Sequence, residues 1–418
     1  MTARDVEVAI VGGGAAGIAA ARALRDAGID ALILEARDRL GGRAWTVTSK
    51  AGLPLDLGCG WLHSADRNPW RQIAVAGGFT VDQTPPPWQR PVAPIGTPPA
   101  AQAEIGAAIG AFRGRVDEFP EGGPDRPASD FLDPGGRWNS VVNAVSTFYS
   151  GAETDRISAR DLARYDDTAV NWRVAEGYGT VIAGYGAGVP AQLGCVVQRI
   201  DRRGKRLVVE TSAGPVTAAA VIVTLPSNVI AREEALFLPA LPDKVVAAAG
   251  LPLGLADKLY LSLSAAQDFK SESRTFGRID TVATAAYHFR PFGRPEIEVY
   301  FGGALAAELE SGGERAFVDF ALAELVGLFG ADFAARVKPL AHHAWGRDPF
   351  ALGSYSYARP GHAEDRATLA APVEGRIFFA GEATSTADYS TAHGAYHSGL
   401  EAARQAAIGL RSAAISTA

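Results

Sequence analysis

The sequence predicts an α/β chain in which a parallel-sheet domain is interleaved with a second, α+β domain. Three observations carry this. An apolar strand, a glycine turn and an alanine-rich helix open the chain in "VEVAIVGGGAAGIAAARAL". A proline-rich passage, "TPPPWQRPVAPIGTPPA", interrupts it over residues 84–100. A strand and helix of the first kind return near the end in "GRIFFAGEATSTADYSTAHGAYHSGL". At 418 residues, with 47% hydrophobic and 21% charged content, the chain is long enough to build two cores.

The opening unit places Gly12, Gly14 and Gly17 in the GxGxxG spacing between a strand and a helix over residues 15–27. That spacing serves a tight turn, close backbone approach to a pyrophosphate, and close packing of helix on strand. A second strand, "DALILEAR", follows and ends at Glu35, a carboxylate placed to accept both ribose hydroxyls of an adenosine. The unit therefore reads as a Rossmann-type dinucleotide site, with NAD and FAD both open. Its central glycines and polar flanks favour a strand, turn and helix over a membrane span or signal peptide. Directly afterwards "EARDRLGGRAW" supplies Arg37, Gly41, Gly42 and Arg43. A glycine pair lets backbone pass close to a ligand, while a guanidinium neutralises phosphate or flavin oxygens.

Beyond the proline-rich passage, Ile105, Ile109, Phe112, Val116 and Phe119 recur at helical spacing, as do Val141, Val142, Val145 and Phe148. A strand meander closing on a buried strand is expected over residues 195–226. In "GLADKLYLSL", Leu259, Leu261 and Leu263 alternate with Lys258, Tyr260 and Ser262, which by themselves predict a solvated outer face. A hairpin around "PFGRP" and a helix over residues 314–329 follow. The chain thus weaves between residues 1–83, 190–250 and 340–418 in one domain and 84–189 and 251–339 in the other.

A formal net charge of -6 opposes a nucleic-acid role, which calls for a basic stripe. Cys59 and Cys195 stand far apart without metal-ligand spacing, so neither a disulfide framework nor a metal site is expected, and a reducing cytoplasm fits.

In the C-terminal block, "RIFFAG" ends in Gly381 and Glu382, and a helix is expected from Ser390 or Thr391. Gly394 and Gly399 lower its helix propensity and so mark close approach. A helix N-terminus aimed at a flavin's pyrimidine edge favours the negative charge that develops there on reduction. Together with "LDLGCGWLHSADRNPW" and "AWGRDPFALGSYSYARPG", these blocks closely resemble the flavin-containing amine oxidases, the family of monoamine oxidases, polyamine oxidases and lysine-specific histone demethylases. "GSYSY" and "TAHGAYHSG" lean toward polyamine oxidases and demethylases.

The resemblance implies the amine oxidase two-domain fold, a Rossmann-type FAD-binding domain interleaved with an α+β substrate-binding domain. It places Gly60 and Trp61 against the flavin ring and Val197 at the adenine. Glu382 faces the pyrophosphate through water or backbone, and Thr391 and Ala392 lie at the ring's edge. Where covalently flavinylated members carry cysteine this chain has Ser354, so noncovalent FAD is expected. Lys258 matches the lysine that reaches a water at flavin N5, although Asp257 stands where the family has asparagine. Tyr355 matches an aromatic wall, with Trp345 a second such residue and His63 beside the substrate. Thr391 replaces the tyrosine of many monoamine oxidases, and Tyr389 is placed to take over part of that wall. Tyr260 either lines the cavity or packs.

The implied reaction is oxidation of an amine by hydride transfer to flavin N5, with O2 reoxidising the flavin to give H2O2 and hydrolysis of the imine. Its partners are a small-molecule amine and O2, without nucleic acid or membrane, in a possible homodimer. Two alternatives share much of the pattern. An amino-acid oxidase needs an arginine for a carboxylate, for which Arg290, Arg294 and Arg347 are available; a regulatory protein keeps FAD without turnover.

Overall fold

The computed structural model describes residues 4–90, 95–120 and 122–417. The chain opens with β1 (Arg4–Val11), turns at residues 12–14 into α1 (Ala15–Asp26), and continues as β2 (Ala31–Leu34). It crosses to a helical region containing α2 (Pro99–Asp117) and α3 (Asn139–Ser150), then returns through α4 (Tyr178–Tyr185). Five strands follow: β3 (Ala191–Gln192), β4 (Val197–Asp201), β5 (Leu207–Thr211), β6 (Val216–Val223) and β7 (Phe237–Leu238). The second excursion holds β8 (Ala256–Leu263), β9 (Ser273–Phe276), β10 (Ala286–Phe289), β11 (Glu296–Gly302), α5 (Glu314–Phe329) and β12 (Val337–His343). The chain comes back a last time as β13 (Ile377–Phe379) and α6 (Ala392–Thr417).

The larger sheet has the order β7-β4-β5-β6-β1-β2-β3, with β13 beside the end of β6. β1 lies parallel to β2 and β6, and β13 is parallel to β6; β4, β5 and β6 form the antiparallel meander. Because parallel strands are covered on both faces, β1 reads as a nearly continuous apolar run. Val8 and Ile10 pack with Ile18 of α1 and Ala402, Ala403 and Ala406 of α6. Ala9 and Val11 face the opposite core with Val221 and Phe379. The two helices cross closely because a Cβ on Gly399 would stand 2.2 Å from Ala16 O. One on Gly394 would stand 2.0 Å from Asp388 O. What approaches these glycines is protein backbone.

The smaller sheet is antiparallel throughout, in the order β9-β10-β11-β8-β12. Leu259, Leu261 and Leu263 of β8 join Phe289, Val299 and Phe317 in its core, and α5 covers it. The proline-rich passage becomes a short turn at Pro87–Gln89 and then α2, which starts on Pro99 because proline is favoured in a first helical turn; residues 91–94 lie outside the described residues.

Two of the expected domain limits change. Val174, Tyr178, Val181 and Ile182 are buried in the same core as Val8 and Ile10, so the segment that rejoins the larger sheet starts well before residue 190. β12 pairs with β8 as far as His343, opposite Lys258, so the limit at residue 339 would cut a strand and moves beyond it. No described helix is long and apolar enough to cross a membrane.

Candidate active site

A cavity of about 1070 Å³ runs from the β1–α1 turn to the side of β8, β9, β10 and β11 that carries Lys258 and Tyr300. At its first end the glycines divide the work as their spacing suggested. Gly12 has φ +104°, and a Cβ on it would meet Thr224 Oγ1 at 2.6 Å; on Gly17 it would meet Gly12 O at 2.0 Å. Gly14 differs, since its Cβ would find only Gly42 Cα at 3.9 Å. Backbone there is open, and α1 begins from it with no side-chain cap, so first-turn N–H groups remain for an anion. Gly42, at φ +59°, packs with its Cβ direction 3.1 Å from Gly14 Cα. Glu35, just past β2, accepts from Gly13 N at 2.6 Å and Arg37 N at 2.8 Å, which fixes the carboxylate under the turn. Arg37 itself pairs with Asp348 at 2.7 Å, and Val197 lines the cavity at the start of β4. A dinucleotide fits this cradle.

Farther along, Arg43 and Glu382 meet each other. Arg43 Nη1 lies 2.7 Å from Glu382 Oε1 and donates to Ser354 O at 2.8 Å. Glu382 also accepts from Ser356 Oγ at 2.6 Å and Ser390 N at 2.9 Å. Burial alone would raise its pKa, but Arg43 and Ser356 outweigh that and hold it below the usual range. The carboxylate expected to face a pyrophosphate is therefore engaged by protein donors, and the guanidinium expected on phosphate or flavin oxygens is matched by it. Gly381, at φ +138°, leaves open backbone beside them. Thr391 Oγ1 donates to Asp388 O at 2.6 Å and accepts from Gly394 N at 2.9 Å, capping the first turn of α6 just before Ala392.

Lys258 is buried. Its side of β8 does not meet water, because Leu55, Leu57 and Tyr260 form a small core there. Nζ donates to Asp56 O at 3.0 Å, pairs with Glu298 at 3.0 Å, and lies 5.1 Å from the Tyr300 ring. Gly60 makes room, for a Cβ on it would stand 3.2 Å from Nζ. Burial pulls the lysine pKa down, yet Glu298, Tyr300 and Asp56 more than compensate and hold it above the ordinary range. Tyr260 packs: its hydroxyl donates to Glu298 at 2.8 Å, and it does not line the cavity.

The ion pair extends across the sheet. His288 Nδ1 lies 3.6 Å from Glu298, His288 Nε2 lies 2.7 Å from Glu272, and Arg173 pairs with Glu272 at 2.7 Å. Burial would lower the His288 pKa, but the two glutamates raise it beyond its usual value; Glu272, despite burial, is drawn down to about 2 by His288 and Arg173. Signs alternate from Lys258 to Arg173. None of Glu298, His288 and Glu272 was expected from the sequence. The available signal was the alternation of Glu296 and Glu298 with Ile297 and Val299, which places carboxylates on one side of β11.

Asp257, facing the other way, is fully buried, and its Oδ1 accepts from Trp345 N at 3.1 Å. Burial and the nearby Glu310 carboxylate push it well above its ordinary range, which favours its neutral form. Trp345 Nε1 donates to Leu57 O at 3.0 Å, leaving its ring as wall. The Tyr355 hydroxyl donates to Phe148 O, and Trp61 Nε1 lies 3.4 Å from the Tyr300 hydroxyl; all three rings line the cavity. Tyr389 lines it too, with its hydroxyl on Asp161 O at 2.9 Å. His63 Nδ1 lies 2.6 Å from Asn171 Oδ1, and Asn171 Nδ2 donates to Ala169 O at 3.1 Å. That orientation makes Nδ1 the protonated nitrogen, and burial lowers the His63 pKa against the pull of Asp167. Arg290 and Arg294 are spent on backbone carbonyls, Arg347 is exposed, and none of them lines the cavity.

The family model for flavin containing amine oxidoreductase matches residues 15–93 and 117–407. Polyamine oxidase 3 of Oryza sativa subsp. japonica is 28% identical over 95% of this chain and 88% of that protein. Human lysine-specific histone demethylase 2 is 25% identical over 96% of this chain and 53% of that protein. Among solved structures, wild-type putrescine oxidase bound to putrescine superposes with a TM-score of 0.76 at 18% identity, covering 97% of this chain and 99% of that one.

Glu298→Gln leaves Lys258 charged and unpaired, and is expected to cost about 3–5 kcal/mol in denaturant unfolding. Because the folded-state pKa of Glu298 is depressed, its contribution is complete above the ordinary glutamate range and is lost as pH falls through the lower value; the variant should lack that acid limb. Asp257 has the opposite sign, since its raised pKa costs stability as pH rises above the ordinary aspartate value. Asp257→Asn is expected to stabilise the protein by on the order of 1 kcal/mol near neutral pH, with a gain in melting temperature that grows from acid to alkaline buffer.

Proposed function

The chain belongs to the flavin containing amine oxidoreductases and is a flavin-dependent amine oxidase that uses FAD, and on that premise we propose that it oxidises an alkylamine, whether polyamine, diamine or monoamine, at a C–N bond. The observation that carries the reading is Lys258, a cation held by Glu298 at the wall of a cavity whose other walls are the rings of Tyr355, Trp345, Trp61 and Tyr300. Held in the glycine cradle, FAD would supply the acceptor for a hydride from the carbon beside the amine nitrogen, with O2 as the final oxidant giving H2O2 and water hydrolysing the imine.

The residues divide the remaining tasks. Open backbone at Gly14 and Gly381, the first turn of α1 and the fixed carboxylate of Glu35 support the dinucleotide. The first-turn N–H groups of α6 that Thr391 leaves free, its Oγ1 taking only that of Gly394, would favour negative charge at the ring edge. Lys258 retains its proton on Nζ, so it serves as a fixed positive charge and hydrogen-bond donor and not as a base. His63 holds its proton on Nδ1 toward Asn171, leaving Nε2 as an acceptor for a proton of the substrate ammonium, which must be shed before hydride can leave. Aromatic walls attract the ammonium and, by excluding water, favour its neutral form. Two unpaired cysteines support a reducing compartment such as the cytoplasm.

Ser354 Oγ donates to Ala256 O at 3.0 Å and accepts from Ala256 N at 2.8 Å, which ties the chain at the entry to β8. Burial pushes the Cys59 thiol, which also lines the cavity, up to about 12. Neither side chain is suited to a covalent flavin link, so acid precipitation is expected to release all FAD into the supernatant; flavin retained in the pellet would refute this. Anaerobic addition of benzylamine, putrescine, spermidine, spermine and leucine tests the reaction itself. Bleaching of the flavin by amines, with peroxide on readmitting air, is the expected result, and bleaching by leucine alone would replace it with amino-acid oxidation.

A further inference from the structure

Two cations in the cavity wall have no acidic partner. Arg37, Arg43 and Lys258 are each matched to a carboxylate, and the deeply buried Arg366 and Arg173 pair with Asp161 and Glu272 at 2.6 and 2.7 Å. Arg274 on β9 and Arg113 on α2 line the same cavity, yet neither side chain has a hydrogen bond or ion pair with any of the described residues. Arg274 lies 5.9 Å from the Phe276 ring, and Arg113 lies 4.9 Å from that of Tyr149. Burial lowers the pKa of Arg274, opposed only by Tyr149. A desolvated guanidinium without an anion is costly unless other acceptors replace the water; Arg39, Arg290 and Arg294 have backbone carbonyls for this, and Arg274 and Arg113 do not.

The register fixes where these groups stand. Arg274 is opposite His288, His288 opposite Glu298, and Glu298 opposite Tyr260; two residues along, Phe276, Ala286, Tyr300 and Lys258 form the neighbouring row. Residues opposite one another on antiparallel strands share a side of the sheet, so Arg274 and Lys258 face the same cavity. Three strand spacings of about 4.8 Å across the sheet and two residues of about 3.3 Å along it set their backbones about 16 Å apart.

We propose that Arg274, assisted by Arg113 beside Tyr149, binds an anionic group at the far end of the amine substrate, so that the preferred substrate class is an alkylamine ending in a carboxylate. This deepens the amine oxidase reading and rests on it. The separation rules out the carboxylate of an α-amino acid, which is attached to the reacting carbon itself. It also disfavours a diamine, whose second ammonium would be brought against two guanidinium groups. Asp117, which also lines the cavity, lies one turn from Arg113 and is exposed, where water screens its charge.

The FAD-loaded protein is tested with octanoate, which carries no amine, and with the pair ω-aminooctanoate and octane diamine. Calorimetry should show octanoate binding that Arg274→Met weakens by about tenfold or more and that Arg274→Lys partly restores. In the wild type, kcat/KM should be at least about tenfold higher for ω-aminooctanoate than for the diamine. Equal or better turnover of the diamine overturns the proposal, and so does octanoate binding unchanged in both Arg274→Met and Arg113→Met with flavin content intact. If neither amine bleaches the flavin, the amine oxidase reading fails, and the octanoate measurement still decides whether the arginines hold an anion.

Discussion

A lysine must be kept charged where almost no water reaches it, and much of the smaller sheet answers to that requirement. Taking an ammonium out of water costs several kcal/mol unless an anion and hydrogen bonds replace the solvent. Glu298 provides the anion and Asp56 O a further acceptor. The carboxylate in turn needs donors, which come from Tyr260 and His288; His288 needs Glu272, and Glu272 needs Arg173. Each group is affordable only because the next is present. Asp257 would add a second negative charge one residue away, but burial beside Glu310 favours its neutral form.

The nucleotide end uses a different economy. Little there depends on side-chain charge; turn geometry, unsatisfied helix N–H groups and missing Cβ atoms are what it offers a phosphate. Even the prominent arginine and glutamate pair, Arg43 and Glu382, cancels internally and ties α6 to the β8 entry through Ser354 and Ser390. One end of the cavity thus relies on fixed dipoles and the other on a fixed ion, which suits a ligand that is anionic at one end and electron-accepting at the other.

What was legible in the sequence was local. The glycine spacing, the strand ending at Glu35, the helix Glu314–Phe329 and the alternation in β8 all depend on neighbours within a few residues, and each has its counterpart in the fold. The partners of those residues were not legible. Glu298 meets Lys258 only because β11 and β8 pair in one register, and a shift by one residue would turn both carboxylates of β11 away. The alternation also could not reveal that the polar side of β8 is roofed by Leu55, from a separate two-stranded hairpin over residues 46–56, and by Leu57 just beyond it. Domain limits failed for the same reason: Val174 and Tyr178 look like any amphipathic segment until the core they fill is known.

The interleaving has a consequence for the order in which the protein comes into being. β13 and α6 are the final elements of the chain, yet β13 completes the larger sheet beside β6, and α6 covers the apolar side of α1 and supplies the Thr391 turn at the cavity. In synthesis the glycine cradle emerges well before the segment that encloses it. Until α6 follows, the nascent chain carries an uncovered α1 surface and an unfinished binding site.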